Sequence, residues 1–395
     1  MVKIVDIAAR DPFGYSSGGV GTTIYNTAKP LAKSGIDITV ICYAEKNFTR
    51  DTEIGRLIGI KVPDNELLKI IIYSVKAAFL SRKLDPDILI GEGPSDMGAS
   101  LLATLIKRRK VIHIERAHGT HMGLILSTPR KSLHMALLGR LMTELIERYE
   151  FALADYVVSV SESVRTELIR YYHIKSGTIK VVTSGADTSK YKPLTGDRRR
   201  RLRRSLNMDD GRSYGLYIGT DPYRKGLDIA VQAILEIGRD DICLNIIGIS
   251  ESAARKALEK EGIKLHREKS LFFVGSIDDK RKADYLAASD FFLFPSRYEG
   301  IALVAMEAMS SGLPVIVSSK VHTDEIGSEK DGVFVVSGFD PKAYADRVKK
   351  LVSNKAKLME LGRRTRKAIR RNDWKKVAKR YLDVIRNIIR ENAIR

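Results

Sequence analysis

One segment, residues 291–317, limits the possible folds of this chain more than any other; its sequence is FFLFPSRYEGIALVAMEAMSSGLPVIV. An apolar run ending at Pro295 is short enough for a buried strand, and after a short loop a helical run covers about 301–311. Gly312 and Pro314 end that helix before the next apolar run. A strand, a helix and a strand in this order predict a doubly wound parallel sheet, whose ligands bind at the carboxyl ends of the strands.

Two glutamates mark this segment as a candidate ligand site. Glu299 lies on the loop after the strand, and Glu307 lies inside the apolar helix. A carboxylate in such a helix is costly unless it is paired. An intrahelical salt bridge is disfavoured because the positions three and four residues away hold no cation. We therefore expect the partner of Glu307 to come from another element or from ligand hydroxyls.

The backbone N–H groups of Gly300, Ile301 and Ala302 are expected to open the helix between the two glutamates. A helix N-terminus binds anions and suits a diphosphate. A sugar nucleotide has hydroxyl groups on both sides of its diphosphate. A phosphate site with a hydroxyl-binding carboxylate on each side matches that arrangement.

The segment PSRYEGIALVAMEAMSSGLPVI resembles the signature of glycosyltransferase family 4, which contains retaining enzymes of the GT-B fold. The resemblance implies that Glu299 contacts the donor sugar and that Glu307 binds the ribose hydroxyls. It also implies donor contacts along the loop between them, at Gly300, Ile301, Ala302 and Leu303. Ile301-Ala302 replaces the usual Phe-Gly of the family, which keeps the amides but adds a methyl group near the phosphate path.

Composition predicts a globular protein of two to three domains, since the chain has 395 residues, 44% of them hydrophobic and 29% charged. Cys42 and Cys243 lie far apart in apolar runs, so two buried thiols are expected rather than a disulfide, as in a cytosolic protein. We expect no signal peptide at the start of the chain. The longest apolar run, residues 67–80, is interrupted by lysines and is too short to cross a bilayer.

The net charge of +20 suggests nucleic acid, an anionic membrane surface or anionic small substrates as partners. We find no nucleic-acid motif, so nucleic acid is disfavoured. The densest basic run, RRRRLRR at residues 198–204, is interpreted as the solvated face of a helix between domains. The single glutamine, Gln232, beside many charged residues weakly indicates a thermophile.

A glycine-rich turn follows the first strand, which is predicted at residues 3–8. The turn, SSGGVG, lacks the spacing of the dinucleotide fingerprint, and by itself a simple flexible loop explains it equally well. The family resemblance implies that Gly18 and Gly19 face the donor phosphates and the acceptor. Asp85-Pro86-Asp87 is interpreted as the turn that precedes a strand. Family 4 has no metal-binding Asp-x-Asp motif, so the resemblance implies neither a divalent metal nor another cofactor.

Three histidines lie near the end of a later strand, in the sequence HIERAHGTH at residues 113–121. His113, His118 and His121 fit no common zinc spacing, so a metal site is disfavoured, and a structural histidine is the alternative. His118 resembles the family histidine that lies over the donor sugar, and we transfer that role to it alone.

The motif GTDPYRKG resembles the family's Gly-Arg and Lys-Gly pair, whose cations neutralise the leaving diphosphate. Lys225 matches the lysine, but Thr220 occupies the position of the arginine. The neighbouring Arg224 is the candidate substitute. Val274, on a strand predicted at residues 271–275, lies nearest the family position whose backbone touches the nucleotide base.

The resemblance covers nearly the whole chain and is weakest over residues 50–82, where the sequence shows only a helical pattern. It implies an α/β protein of the GT-B fold, with two Rossmann-like, doubly wound domains facing a central cleft. We predict an acceptor-side domain at 1–190, completed by a helix at about 377–395, and a nucleotide-sugar-binding domain at 191–376.

The implied activity is retaining, metal-independent transfer of a hexose from a UDP-, GDP- or ADP-sugar to a hydroxyl acceptor, lipid-linked or glycan. His118, Glu299 and Lys225 are its expected catalytic residues. A sugar-nucleotide epimerase of the same fold and a non-catalytic sugar-nucleotide-binding protein remain alternatives. A cytoplasmic protein that docks peripherally on the anionic inner face of a membrane is also favoured. The features that favour it are the basic patches at 107–110 and 130–131 and the mixed helix at 67–82. A solvated basic surface with a soluble acceptor is nearly as well supported.

Overall fold

The computed structural model describes residues 1–8, 10–13, 18–93, 98–107, 110–128, 137–266 and 268–393. The chain divides into two compact units, the first formed by Met1–Ser184 with Trp374–Arg395 and the second by Gly185–Asp373. Each unit has one sheet, of eight strands in the first and six in the second. Helices connect most of the strands, which confirms the predicted α/β class with two Rossmann-like domains.

The first unit has the strand order β3-β4-β2-β1-β5-β6-β7-β8. All neighbouring pairs are parallel except β3 and β4. The strands are β1 (Lys3–Ile7), β2 (Asp37–Ala44), β3 (Phe48–Thr52), β4 (Gly55–Lys61), β5 (Ile88–Gly91), β6 (Ile112–Ala117), β7 (Tyr156–Ser159) and β8 (Ile179–Val181). The helices are α1 (Gly18–Lys33), α2 (Glu66–Leu84), α3 (Ala99–Leu105), α4 (His121–Ser127), α5 (Leu137–Leu153), α6 (Glu162–Tyr172) and the C-terminal α14 (Trp374–Glu391).

The antiparallel β3–β4 hairpin corrects the purely helical interpretation of residues 50–82, which holds only for α2. Gly55 has φ +102°, a conformation that favours glycine, and so allows the tight turn between the two strands. A Cβ atom at Gly59 would lie 2.2 Å from the Phe48 ring, so that glycine lets the ring pack flat on β4. The sequence features that indicate this hairpin are the turn at Gly55 and the contact between Gly59 and Phe48. Helical periodicity reveals neither of them.

The inner side of α2 packs on the first sheet, where Tyr73 and Ala77 are buried against Val5, Ile41 and Leu89. Tyr73 also donates a hydrogen bond to the carbonyl of Ala8. The helix α14 packs against α1 and buries a stripe at helical spacing. The stripe consists of Trp374, Val377, Ala378, Tyr381, Ile385 and Ile388. Both cysteines are buried free thiols, as predicted.

The second unit has the order β11-β10-β9-β12-β13-β14, all parallel. The strands are β9 (Ser213–Ile218), β10 (Ile242–Ile247), β11 (Leu271–Gly275), β12 (Phe291–Phe294), β13 (Val315–Ser318) and β14 (Val333–Val336). The helices are α7 (Gly196–Ser205), α8 (Leu227–Ile237), α9 (Glu251–Lys260), α10 (Asp279–Ala288), α11 (Leu303–Ser310), α12 (Pro341–Val352) and α13 (Lys355–Ile369).

The arginine-rich helix α7 is only partly the solvated face that the sequence suggested. Arg203 is buried, and its Nη2 donates to Asp290 Oδ2 at 2.6 Å, while Arg199 Nη2 lies 2.9 Å from Asp290 Oδ1. Both guanidinium groups also donate to the carbonyl of Ala288. Arg199 and Arg203, one helical turn apart, therefore anchor α7 to the C-terminal end of α10, where the Ala288 carbonyl has no further helical partner.

The structure places both unit boundaries a few residues before the predicted 190 and 376. Ala186 and Tyr191 already belong to a core of the second unit, and Ala186 N donates to Asn372 O at 3.0 Å. Trp374, by contrast, lines a cavity with Val158 and Val160 of the first unit. The chain therefore passes from one unit to the other at the residues where its apolar side chains leave one hydrophobic core and enter the next.

Glu147 of α5 has a buried carboxyl group, which lies against the N-terminus of α4. Its two oxygens accept from His121 N at 3.0 Å each, and the Tyr172 hydroxyl donates to Oε2. Burial raises the pKa of Glu147 to about 7, although both hydrogen bonds oppose that shift. The unfolded chain releases this proton near the ordinary pKa of 4.5, so the folded state binds more protons between these values.

We expect Glu147→Gln to flatten the pH dependence of stability. In the natural protein this group lowers the free energy of unfolding as pH rises from about 4.5 to 7, by up to about 3 kcal/mol. Urea unfolding at pH 5, 6, 7 and 8 measures the slope. Glu162→Gln, at an exposed position on α6, is the control and should leave the slope unchanged. Identical slopes for Glu147→Gln and the natural protein would contradict the assignment.

Candidate active site

Two sequence motifs lie at the switch point of the second sheet. The strand order reverses between β9 and β12, and in doubly wound sheets ligands bind at the carboxyl ends of such a pair. The loop after β9 carries GTDPYRKG, and the loop after β12 carries PSRYEGIA. The fold therefore brings together the two segments that the sequence singled out separately.

Glycines allow these two loops to touch through their backbones. Gly226 has φ +73°, and a Cβ atom there would lie 2.1 Å from the Pro295 carbonyl oxygen. Arg297 N donates to Arg224 O at 2.7 Å, and Ser296 Oγ donates to the same carbonyl at 3.1 Å. Any larger residue at position 226 would push the loops apart.

Three side chains donate to one oxygen of Glu299. Its Oε1 accepts from Lys225 Nζ at 2.6 Å, Ser296 Oγ at 2.7 Å and Arg224 Nη1 at 3.1 Å. Burial lowers the pKa of Lys225 and the nearby Arg224 adds to that effect, while Glu299 opposes it. Two cations thus meet at one buried carboxylate, an arrangement that can hold a polyanionic ligand group.

The structure places Arg224, the candidate substitute for the family arginine, within this cluster. Arg224 contacts the same carboxylate oxygen as Lys225 and donates to Tyr298 O at 3.1 Å. Thr220, at the family arginine position, is exposed at the start of the loop. That Arg224 serves the phosphates in place of that arginine stays a prediction.

Glu307 is buried on α11, and its partner comes from another element, as predicted. Lys282 of α10 lies 3.1 Å from both carboxylate oxygens. It also lies 3.2 Å from Asp279 Oδ1 and 5.2 Å from the centre of the Tyr191 ring. Burial alone would lower the pKa of Lys282, but Glu307, Tyr191 and Asp279 raise it above its usual range.

Lys282 was missed by the sequence analysis. Its segment, DDKRKADYL, has the composition of an ordinary surface helix. The available signal was the apolar setting of Glu307, which predicted a partner from another element or from ligand hydroxyls but did not indicate which side chain supplies it.

The loop before α11 differs from its prediction. The helix begins at Leu303 with Ala302 as its N-cap, so Gly300 and Ile301 belong to the loop and not to the first helical turn. Val274 lies at the carboxyl end of β11, two strands away from β9. It packs partly buried against the core and is not part of the Glu299 cluster.

The first unit has its own switch point, between β1 and β5. Gly18 and Gly19 were expected in the loop after β1, but they form the first turn of α1, where Gly18 has φ +59°. Glu92 directly follows β5, and His118 directly follows the neighbouring β6. Glu92 was not identified from the sequence, because Gly91-Glu92-Gly93 resembles an ordinary turn.

A buried charged cluster holds His118. Its Nε2 hydrogen-bonds with Glu92 Oε2, and Glu92 Oε1 lies 3.0 Å from Arg116 Nη1. Arg116 Nη2 donates to the Tyr381 hydroxyl at 2.5 Å, and Asp6 Oδ2 lies 3.8 Å from the same nitrogen. Side chains from β1, β6, α14 and the end of β5 thus position one imidazole.

Burial lowers the pKa of His118 to about 3, and the charge of Arg116 adds to this effect. The same burial, with the charge of Glu92, raises the pKa of Asp6 well above its usual value. His118 is therefore neutral near pH 7. A neutral imidazole beside a carboxylate donates through Nε2, which leaves Nδ1 as an acceptor suited to a ligand hydroxyl.

The other two histidines of this region belong to different networks. His113 Nε2 lies 2.9 Å from Glu115 Oε2, and His121 is bound to Glu147 through its backbone. Asp87 accepts from Lys3 N at 2.8 Å, a structural contact. Within the described residues, no group of three or more His, Cys, Asp or Glu side chains is placed to hold a metal ion.

Comparison with known families gives two matches that together cover most of the chain. The model described as glycosyltransferase family 4 matches residues 17–190, and the model described as glycosyl transferases group 1 matches residues 198–368. Each match corresponds closely to one structural unit.

Curated relatives are similar at low identity. A D-inositol 3-phosphate glycosyltransferase of Corynebacterium aurimucosum is 24% identical over 92% of this chain and 89% of its own length. D-inositol 3-phosphate glycosyltransferase 2 of Catenulispora acidiphila is 26% identical over 58% of this chain. The chain spans 56% of that relative's length and 58% of the length of another, from Xylanimonas cellulosilytica.

Solved structures match over nearly the whole chain. Sucrose-phosphate synthase of Thermosynechococcus elongatus gives a TM-score of 0.83 at 20% identity, covering 99% of this chain and 100% of that one. Anabaena HepE in complex with UDP-glucose gives 0.77 at 17% identity, covering 98% and 100%. These likenesses confirm the GT-B fold.

We expect His118 to remain uncharged from pH 5 to pH 8, because burial and Arg116 oppose protonation. Its ¹⁵N imidazole shifts should report the Nε2–H tautomer, without titration across that range. Glu92→Gln should remove the tautomer preference, whereas Glu162→Gln, on the exposed start of α6, should not. Titration of His118 with a midpoint near its ordinary pKa of 6.5 would contradict the cluster.

Proposed function

Because the chain belongs to glycosyltransferase family 4, we propose that it transfers a hexose from a nucleoside-diphosphate sugar to a hydroxyl acceptor, with retention and without a metal. The observation that carries this proposal is the convergence of Lys225 and Arg224 on Glu299 at the β9–β12 switch point. A leaving nucleoside diphosphate gathers negative charge, and fixed cations in a buried site stabilise it.

Each site residue has a proposed role. Lys225 and Arg224 neutralise the diphosphate, together with the amides of the loop after β12. Glu299 and His118 contact the sugar, and Glu307 binds the ribose hydroxyls. The other donor contacts are proposed at Gly18, Gly19, Thr220, Val274, Gly300, Ile301, Ala302 and Leu303.

No side chain is proposed as a nucleophile. The acceptor hydroxyl attacks the anomeric carbon on the face from which the diphosphate leaves, and a phosphate oxygen of the donor takes the hydroxyl proton. This step needs no redox partner and conserves the anomeric configuration. The chain's own residues stabilise charge and fix the two reactants in position.

Two alternatives remain under test. An epimerase would isomerise the donor sugar without an acceptor, and a binding protein would do neither reaction. The position of Arg224 favours an enzyme over a binding protein, because it supplies a second cation despite Thr220. The decisive experiment incubates the protein with UDP-, GDP- and ADP-hexoses, with and without acceptors, and identifies products by NMR, including their anomeric configuration.

The comparisons suggest where to begin that experiment. The HepE structure with UDP-glucose makes UDP-glucose the first donor, and the inositol phosphate relatives make an inositol phosphate the first acceptor. Lipid-linked and glycan acceptors follow. Activity that persists in EDTA supports the metal-independent mechanism, and activity that requires added magnesium contradicts it.

We also propose a cytoplasmic protein that attaches peripherally to the inner membrane face. In the part of the chain that the structure describes, no helix is long and apolar enough to span a membrane. Of the basic patches that suggested attachment, Lys107 and Lys110 lie within the described residues, and positions 108, 109, 130 and 131 lie outside them.

We expect Lys225→Ala to lose most activity and Arg224→Ala to lose a substantial part. Each removed charged contact should weaken binding of the nucleoside diphosphate by about 1.5–3 kcal/mol, but binding of the uncharged nucleoside hardly at all. Calorimetry with both ligands measures the difference. Arg200→Ala, an exposed arginine on α7, is the control. Natural rates and affinities for Arg224→Ala would show that another group replaces the family arginine.

We expect Glu307→Gln to weaken nucleotide binding by about 1–3 kcal/mol, because a charged hydrogen-bond acceptor for the ribose is lost. The natural protein should discriminate against 2′-deoxy and 3′-deoxy nucleotides, and the variant should discriminate less. Lys282→Met controls for the loss of the buried ion pair itself. Unchanged affinity and discrimination in a folded Glu307→Gln protein would rule out the ribose role.

A further inference from the structure

The helix α2 carries apolar side chains on its outward-facing side. Leu68, Ile71, Val75 and Phe79 are 50%, 51%, 41% and 57% exposed, although the opposite side of the helix is buried in the core. With about 3.6 residues per turn, these four positions form one continuous stripe. We refer to them as the α2 stripe.

Such a stripe is unusual on a surface helix. A helix that packs on a sheet normally presents charged and polar residues to water. Single exposed apolar residues need no explanation, but a contiguous row indicates a surface that is covered in use. The stripe extends over roughly 16 Å at 1.5 Å per residue, which is long enough to be a contact surface.

The charges beside the stripe are all positive. Between Glu66 and Asp85 the helix has four basic residues and no acidic one. Helical spacing places Lys76 and Lys83 along one side of the stripe and Arg82 in line with it, one turn beyond Phe79. The basic residues are Lys69, Lys76, Arg82 and Lys83.

The positive surface continues beyond the helix. Arg82 and Lys107 line the same surface cavity, next to the C-terminal end of α2. Asp85 also lines this cavity, but it follows the helix and caps its C-terminus in a left-handed conformation. Cations therefore border the stripe along one side and at this end.

We propose that the α2 stripe is a docking surface for an anionic phospholipid membrane. Apolar side chains flanked by lysine and arginine are the pattern of a helix that lies in the membrane interface. The stripe enters the boundary between headgroups and acyl chains, while the flanking cations contact lipid phosphates. This deepens the peripheral attachment proposed above by naming its surface and lipid class, and it does not depend on sugar transfer.

Vesicle sedimentation tests the proposal on the full chain. The natural protein should bind vesicles of phosphatidylglycerol, bind phosphatidylcholine weakly or not at all, and dissociate as salt rises. Ile71→Ser with Phe79→Ser should lower the partition coefficient roughly tenfold or more, because apolar burial in the membrane is lost. Lys76→Glu with Lys83→Glu should lower it similarly.

Matched control variants separate the stripe from general effects. Met359→Ser with Val335→Ser removes two apolar side chains, 61% and 44% exposed, from the second unit. Lys256→Glu with Lys260→Glu makes the same change in net charge at exposed positions of α9. Both controls should bind vesicles like the natural protein. Circular dichroism and thermal melting verify folding, and Phe79→Ser alone replaces the double variant if that one unfolds.

The outcomes distinguish this proposal from the proposed function. Loss of vesicle binding in the stripe variants, with natural transfer to a soluble acceptor, supports the docking surface. Natural vesicle binding by both stripe variants overturns the assignment to α2 and leaves peripheral attachment in place. If the natural protein binds no vesicle, the lipid proposal is overturned. Self-association through the stripe would also overturn it, in favour of a protein interface. Transferase activity is judged separately in each case.

Discussion

The close approach of two loops in the second unit determines the geometry of its charged cluster. Gly226 adopts a left-handed conformation against the Pro295 carbonyl, so the loop after β9 touches the loop after β12. Because that contact is made by backbone atoms, it fixes Arg224, Lys225 and Glu299 relative to one another. Two cations and a carboxylate then occupy one site without long flexible connections. A bound polyanion would find its counter-charges already in place, which limits the cost of ordering them.

The first unit solves a different electrostatic problem. It buries Asp6, Glu92 and Arg116 together, and such groups are stable in a core only when they satisfy one another. The result is a rigid support for His118, which remains neutral and oriented. The second unit leaves Arg224 and Lys225 partly exposed beside Glu299, whereas the first uses its charges to hold one uncharged group in position.

Much of the second-unit site could be predicted from sequence, because its motifs are local. Glu299, Lys225 and Gly226 lie in short segments whose spacing indicates both a turn and a charge. The apolar setting of Glu307 even predicted that its partner comes from another element or from ligand hydroxyls. Lys282 could not be identified, since which surface lysine reaches it depends on how α10 packs.

The first-unit cluster was largely missed for the same reason. Glu92 lies in an unremarkable local sequence, and only the sheet order brings it beside His118. Arg116 lies two residues before His118, but its contacts with Glu92 and Tyr381 depend on how distant segments pack. The β3–β4 hairpin was missed because its alternation is weak and its turn depends on one glycine. Local patterns therefore predict elements and motifs, while contacts between distant segments depend on topology.

The return of the chain to the first unit has a consequence for synthesis. Arg116 and Tyr381 are separated by 265 positions, and the whole second unit lies between them. On the ribosome, residues 185–373 emerge as one contiguous segment and can fold as soon as they are released. The first unit must wait with α1 uncovered and Arg116 lacking its tyrosine until α14 leaves the exit tunnel. The domain that is translated first is thus completed last, and during that interval its exposed core is a target for chaperones.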